Sequence, residues 1–161
     1  MQENPLCPFC DTSIETTTFA ESDGFRAVYN LSPILPGHSL VMPKRHVESL
    51  LDLSEAELGE MMIFARKVVK TLLKAFQGQA FDWTIQEGEA AGQSLPHLHL
   101  HLIPRKAEDL PQPGDWYPLL VDHLNIEAID SEKRPRLSRE EMERIVGHLQ
   151  EVWEGKVDKE L

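Results

Sequence analysis

Histidine alternates with leucine through His97, Leu98, His99, Leu100, His101 and Leu102, just before Ile103 and Pro104. A period of two is that of a β-strand, on which successive side chains point to opposite faces. The alternation therefore predicts a strand from His97, with three imidazoles on one face and Leu98, Leu100 and Leu102 turned to a core on the other. Same-face neighbours on such a strand stand about 6.5 to 7 Å apart, from a rise of about 3.3 Å per residue, a spacing that spans one phosphate group. Three positions on one face of a flat strand diverge, so the three imidazoles are poorly placed to ligate a single ion tetrahedrally.

The stretch before the strand, Gln86-Glu87-Gly88-Glu89-Ala90-Ala91-Gly92-Gln93-Ser94-Leu95-Pro96, is a loop rich in small residues. Its glycines let successive backbone N–H groups turn toward one point, and Gln93 and Ser94 add side-chain donors, the makings of an anion cradle. The run Gln93-Ser94-Leu95-Pro96-His97-Leu98-His99-Leu100-His101-Leu102 resembles the signature of the histidine triad family of nucleotide hydrolases and transferases. The longer run from Gln86 through Lys106 is similar to the fragile histidine triad branch of that family, which cleaves diadenosine polyphosphates. The resemblance implies an α+β, HIT-like fold, an antiparallel sheet of about five strands with two main helices, and a homodimer. It also implies a single domain over residues 1–161: a core to about residue 106, a variable segment 107–137 and a C-terminal helix 138–155.

A neutral imidazole attacks phosphorus when one ring nitrogen keeps its lone pair and the other donates a hydrogen bond. His99, flanked on its own face by His97 and His101, can be approached by a phosphate from both sides. The resemblance implies that His99 attacks the α-phosphorus of a nucleotide substrate, forms a nucleotidyl-histidine and is released by water. His101, the loop N–H groups and Gln93 would then stabilise the phosphoryl oxygens, while Ser94 and Gln86 face the leaving group. The resemblance further places Asn30 on the ribose hydroxyls and His38, from the Pro36-Gly37-His38 turn, near the nucleotide. The phosphoramidase branch carries asparagine where this chain has Gln86, which favours a dinucleoside polyphosphate over an adenosine phosphoramidate. Mg²⁺ would accompany a polyphosphate substrate. The alternatives are P–N hydrolysis, phosphorolysis, or a nucleotide- or zinc-binding interaction protein without turnover.

The two cysteines, Cys7 and Cys10, are too close in sequence to staple a fold. Cys-x-x-Cys alone is half a zinc site, a redox pair or two unremarkable thiols. Two thiolates with two imidazoles complete a tetrahedral site, and His46 and His97 are the candidates. Many microbial triad proteins, and the related galactose-phosphate uridylyltransferases, use such a set, which the fragile branch lacks. Structural Zn²⁺ on Cys7, Cys10, His46 and His97 is the expectation.

A formal net charge of −11 disfavours nucleic-acid backbones and anionic membranes as partners. Any phosphate site must be locally positive, from the imidazoles, the loop N–H groups, Arg105 and Lys106. Met1-Gln2-Glu3-Asn4-Pro5 has no secretory pattern and no apolar run reaches membrane-spanning length, which points to a cytoplasmic location.

Thr16–Phe19 and Phe25–Tyr29 flank Glu21-Ser22-Asp23-Gly24 as a hairpin. The apolar, proline-rich loop Leu31–His38 suits the wall of a nucleobase pocket. Ser54 with Glu57 is a capping box for a helix whose apolar stripe includes Leu58, Met61, Met62, Val68 and Leu72 and which stops at Gly78. Ala80–Gln86 alternates as the partner of the triad strand. Ser138 with Glu141 opens a second helix with Met142, Ile145, Leu149 and Trp153 on one face, leaving His148 solvated. Between the two, Trp116, Tyr117 and Leu119–Val121 are read as covering apolar surface, His123 has no assigned role, and the tail 156–161 is read as frayed.

Overall fold

The computed structural model describes residues 7–114 and 135–157. Trp116, Tyr117, Leu119–Val121 and His123 lie outside the described residues, as do the first residues of the chain and most of the tail. Five strands, β1 (Thr18–Glu21), β2 (Phe25–Tyr29), β3 (Ser39–Pro43), β4 (Ala80–Ile85) and β5 (Leu100–Arg105), form one open sheet in the order β1-β2-β3-β5-β4 with every pair antiparallel. Two main helices, α1 (Glu55–Ala75) and α2 (Arg139–Trp153), cover one face. The class is α+β. No helix among the described residues is long and apolar enough to cross a membrane.

Period-two patterning decides which face each strand residue takes. Phe25, Ala27 and Tyr29 of β2, Val41 of β3, and Leu100 and Leu102 of β5 join Leu98 in the core beneath the helices. Val28 of β2 and Leu40 and Met42 of β3 belong to a second cluster on the opposite face, where Ile14 and Phe9 cover them. The N-terminal segment thus shields the face that carries the imidazoles. Its residues Thr12–Thr17 form a 3₁₀ turn, so Thr16 and Thr17 end that turn instead of starting the hairpin strand.

Both capping boxes form: Ser54 with Glu57 opens α1, and Ser138 with Glu141 opens α2. On α1 the buried face is carried by Met61, Phe64, Ala65, Val68 and Leu72, whereas Met62, expected in the stripe, is 39% exposed because it lies one position past the face that Met61 occupies. At its end Gln77, with φ 53°, takes the left-handed position, and Gly78 N closes on Leu73 O at 2.9 Å. Gly78 itself sits in a tight place: a Cβ there would stand 2.7 Å from Leu73 Cδ2, which would have to shift, and 3.1 Å from Pro104 Cβ. His148 of α2 is half-buried, and its enclosed Nε2 has no hydrogen-bond partner among the described residues, so it is not the solvated residue expected.

The triad strand differs from expectation at its start. Regular pairing begins at Leu100; His97 closes a bend onto Leu95 O at 2.8 Å, and the chain after it is anchored by Leu98 N to Val47 O at 2.6 Å. At its other end Pro104 is tolerated because β3 pairs only with Leu100–Leu102, leaving one side of β5 without a partner strand where the proline lacks its N–H.

Candidate active site and metal cluster

Cys7 and Cys10 sit on a turn just before the 3₁₀ segment, His46 follows β3, and His97 precedes β5. The sheet order puts β3 beside β5, and the N-terminal turn folds over both. The four ligand atoms lie within 4.8 Å of one another. Cys7 Sγ is 3.5 Å from His97 Nδ1, Cys10 Sγ is 3.5 Å from His46 Nδ1, and Cys10 Sγ is 3.7 Å from His97 Nδ1. Tetrahedral zinc with bonds of about 2.3 Å to sulfur and 2.0–2.1 Å to nitrogen separates S and N by about 3.5 Å, so these edges fit a metal tetrahedron.

Proton placement fits as well. His97 Nε2 lies 3.0 Å from Pro43 O, which can only accept, so Nε2 bears the proton and the Nδ1 lone pair points among the sulfurs. Glu48 Oε1, 3.5 Å from His46 Nε2, stands in the corresponding place behind the other imidazole. Burial pushes the His97 pKa down to about 4, against the pull of the Pro43 carbonyl. Burial also pushes the Cys7 thiol up, a direction that a bound cation reverses.

His97 is therefore turned away from its neighbours in the triad. Phe9, carried by the cysteine turn, lies edge-on to His97 at 5.7 Å and to His99 at 5.4 Å. Two-sided access to His99 does not arise, because the His97 ring serves the sulfurs and Phe9 lies edge-on to both rings. On the other side the rings of His99 and His101 approach to 4.9 Å between centroids, closer than the strand spacing alone implies.

The remaining tautomers follow from backbone groups. His99 Nδ1 is 2.7 Å from the carbonyl of His97, so Nδ1 donates and Nε2 keeps its lone pair. Burial pushes the pKa of His99 down, and the bond to that carbonyl opposes the shift. Ile34 N donates to His38 Nδ1 at 3.2 Å, so the proton of neutral His38 is on Nε2 and is offered to His101 Nδ1 at 2.9 Å. His101 then carries its own proton on Nε2. The pair presents a lone pair on His99 beside an N–H on His101.

Gln93 and Gln86 lie in the loop that joins β4 to this strand. Gln93 accepts from Gly88 N at 2.6 Å and donates from Nε2 to Glu48 O at 3.2 Å, so its amide holds the loop. Gln86 lies against Gly92, where an added Cβ would meet its Nε2 at 2.9 Å. Ser94 is exposed. Asn30 is buried, and its Oδ1 accepts from Ser32 N at 2.8 Å. His38 is fully buried behind His101.

Two expectations need correction. Arg105 is bound to Asp82 at 2.7 Å and Asp109 at 2.8 Å, and these carboxylates neutralise it, so it adds no local positive potential. The loop Pro33–Pro36 lines a cavity of about 420 Å³ with Phe76, Lys106 and Arg144, but Tyr29 in its wall belongs to the helix-side core, so the cavity lies across the sheet from the imidazoles. Several partners were not visible beforehand: the Pro43 and His97 carbonyls, the Ile34 amide, Glu48 and Phe9. Carbonyls and amides carry no residue signal, and only Phe9, inside the Cys-x-x-Cys turn, could have been singled out.

Residues 11–108 match the model of the HIT domain. The chain is 35% identical over 133 residues, 83% of each chain, to bis(5'-adenosyl)-triphosphatase of Dictyostelium discoideum. It is 48% identical over 83 residues to the asymmetrical bis(5'-nucleosyl)-tetraphosphatase of Schizosaccharomyces pombe, a match spanning 52% of this chain and less than half (46%) of that one. Among solved structures, a hypothetical histidine triad nucleotide-binding protein of Sulfolobus tokodaii superposes with a TM-score of 0.71 at 26% identity, over 92% of this chain and 93% of that one.

Proposed function

The chain belongs to the HIT domain family, and from that premise we propose that it is a nucleotide hydrolase that cleaves dinucleoside polyphosphates at the α-phosphate through a covalent intermediate on His99. The observation that carries the reading is the tautomer pattern, a lone pair on His99 Nε2 beside a proton on His101 Nε2. The lone pair of His99 attacks the α-phosphorus and the anhydride P–O bond breaks, its electron pair leaving with the departing nucleotide. His101 N–H bears the charge on the phosphoryl oxygens and Gln93 adds a second side-chain donor, whereas the amides of Gly88, Ala91, Gly92 and Gln93 are spent on bonds within the loop. Water then attacks the phosphorus, the phosphorus–nitrogen bond breaks with its electron pair returning to His99 Nε2, and the nucleotide is freed. In this reading Asn30 binds the ribose, His38 sets the tautomer of His101, and Gln86 and Ser94 face the leaving group. The relatives named as a triphosphatase and a tetraphosphatase support the substrate class.

Cys7, Cys10, His46 and His97 would hold Zn²⁺ as a structural ion, since thiolate and imidazole ligands at these distances suit it. Mg²⁺ enters only as a companion of the substrate, because this cluster lacks the oxygen ligands that ion requires. Residues 1–161 act as one domain in this reading. A second copy would pair along β4, the sheet edge where Phe81 is 47% exposed.

Rapid-quench intact mass spectrometry with diadenosine triphosphate and, separately, an adenosine phosphoramidate tests the proposal. The expected result is an adenylyl adduct on the parent, none on His99→Ala, and faster turnover of the triphosphate. Faster turnover of the phosphoramidate would move the substrate class to P–N bonds. No turnover and no adduct, with nucleotide binding intact in His99→Ala, would favour a binding protein.

A further inference from the structure

The loop between β4 and β5 is closed by its own bonds and pinned from outside by a residue that neither the nucleophile nor the metal cluster uses. Within it, Ala91 N and Gln93 N both donate to Gly88 O at 3.1 Å, and Gly92 N donates to Glu89 O at 2.9 Å. From its first turn Glu87 reaches across to the segment that follows His46. The carboxylate accepts from Leu50 N at 2.5 Å and from Ser49 Oγ at 2.9 Å. These bonds occupy both of its oxygens and satisfy a donor at the start of the turn Leu50–Asp52. Gln93 Nε2 adds a second tie at Glu48 O, 3.2 Å away. The other end of this short span is His46, whose Nδ1 lies 3.5 Å from Cys10 Sγ and whose Nε2 lies 3.5 Å from Glu48.

We propose that Glu87 is the positioning residue of the anion loop: it fixes Gly88–Gln93 to the His46–Leu50 segment, so that the loop is ordered when the Cys7, Cys10, His46, His97 cluster holds its metal and loosens when the cluster is emptied. The consequence for catalysis rests on the reading of this loop as a phosphate cradle; the pin itself does not. Removing the carboxylate leaves the Leu50 amide and the Ser49 hydroxyl without this partner, and the loop keeps only its internal ring and the Gln93 tie. Emptying the cluster removes the thiol side of the restraint on His46, the far end of the same span, so that the pin ties the loop to a segment held mainly by the Leu98 N–Val47 O bond at 2.6 Å.

Amide hydrogen exchange at Ala91, Gly92 and Gln93 tests this in the full-length protein, zinc-loaded and after chelation, for the parent, Glu87→Ala and Glu87→Gln. In the loaded state Glu87→Ala should exchange these amides at least about tenfold faster than the parent, with the global melting temperature within about 3 °C. Glu87→Gln, which keeps an acceptor for Leu50 N and can pair with Ser49 Oγ, should stay within about threefold of the parent. Chelation should bring the parent to the level of Glu87→Ala and add little to Glu87→Ala itself. Exchange unchanged by Glu87→Ala, or equally fast in Glu87→Gln, removes the positioning role. A loop that stays protected in stripped parent, or a protein that takes up no zinc, removes the link to the cluster. No nucleotide is present, so failure to hydrolyse a dinucleoside polyphosphate is a separate result that leaves these readouts intact.

Discussion

At the residue scale, each histidine is defined by what its second nitrogen touches. Pro43 O turns His97 to the thiols, His97 O leaves the lone pair of His99 on Nε2, and the Ile34 amide, through His38, leaves a proton on His101 Nε2. Three side chains of one type, at alternate positions of one short stretch, thereby acquire three roles. The same reasoning makes His38 testable without touching the nucleophile. His38→Phe removes the donor to His101 Nδ1 and lets the unwanted tautomer form, so kcat/KM for diadenosine triphosphate should fall about 10- to 100-fold in a folded protein. His38→Gln, whose amide can still donate, should recover part of the loss. Steady-state kinetics of the two variants beside the parent decide it, and equal losses in both would detach the tautomer from the rate.

At the element scale, local signals and local structure agree where the hydrogen bonds are short in sequence. Ser54 and Glu57 close the box that opens α1, and Arg45 adds a bond to the same carboxylate at 2.9 Å. The bond from Arg45, then those from Ser54, hold the Glu57 carboxyl down to about 2 from an ordinary value of 4.5. Because the folded value is the lower one, this contribution to stability is complete above the ordinary value and is lost as pH falls from there toward about 2. Urea unfolding across that range should show a steeper loss in the parent than in Glu57→Gln. Parallel curves would mean that the carboxylate gains nothing on folding. Ser54→Ala in the same assay should cost about 1 kcal/mol at neutral pH. Elements whose boundaries depend on distant pairing were less readable: β1 starts at Thr18 and β5 at Leu100 because the residues before them are held by the 3₁₀ turn and by Val47 O.

At the scale of the whole molecule, the cysteine cluster ties three separate stretches together: the N-terminal turn, the exit of β3 and the approach to β5. A cation that binds only the folded form at about a thousandfold excess over its dissociation constant adds about 4 kcal/mol, or about 10 °C in melting temperature for a chain of this size. Chelation should lower the melting temperature of the parent by about that amount, and Cys7→Ser should already lie at the lower value and respond no further. Thermal denaturation with and without chelator measures both, and a parent indifferent to chelator would count against a structural ion.

The sequence alone determined the strand with its two unlike faces, the two capped helices, the sheet partner of the triad strand and the set of histidines and cysteines available for chemistry. Each of these is carried by a period of two, a period near 3.6 or a cap a few residues long, and such signals need no knowledge of the rest of the chain. Only the tertiary structure supplied the backbone groups that orient each imidazole for the role the family resemblance gave it. It also neutralised Arg105 with Asp82 and Asp109, and it gave Pro33–Pro36 a helix-side cavity while Ile34 N reaches His38 behind His101. These outcomes depend on backbone carbonyls and on partners such as Cys7 and His97, 90 residues apart in the chain and 3.5 Å apart in space. No local pattern encodes such a contact, because it exists only once the sheet has brought β3 and β5 together under the N-terminal turn.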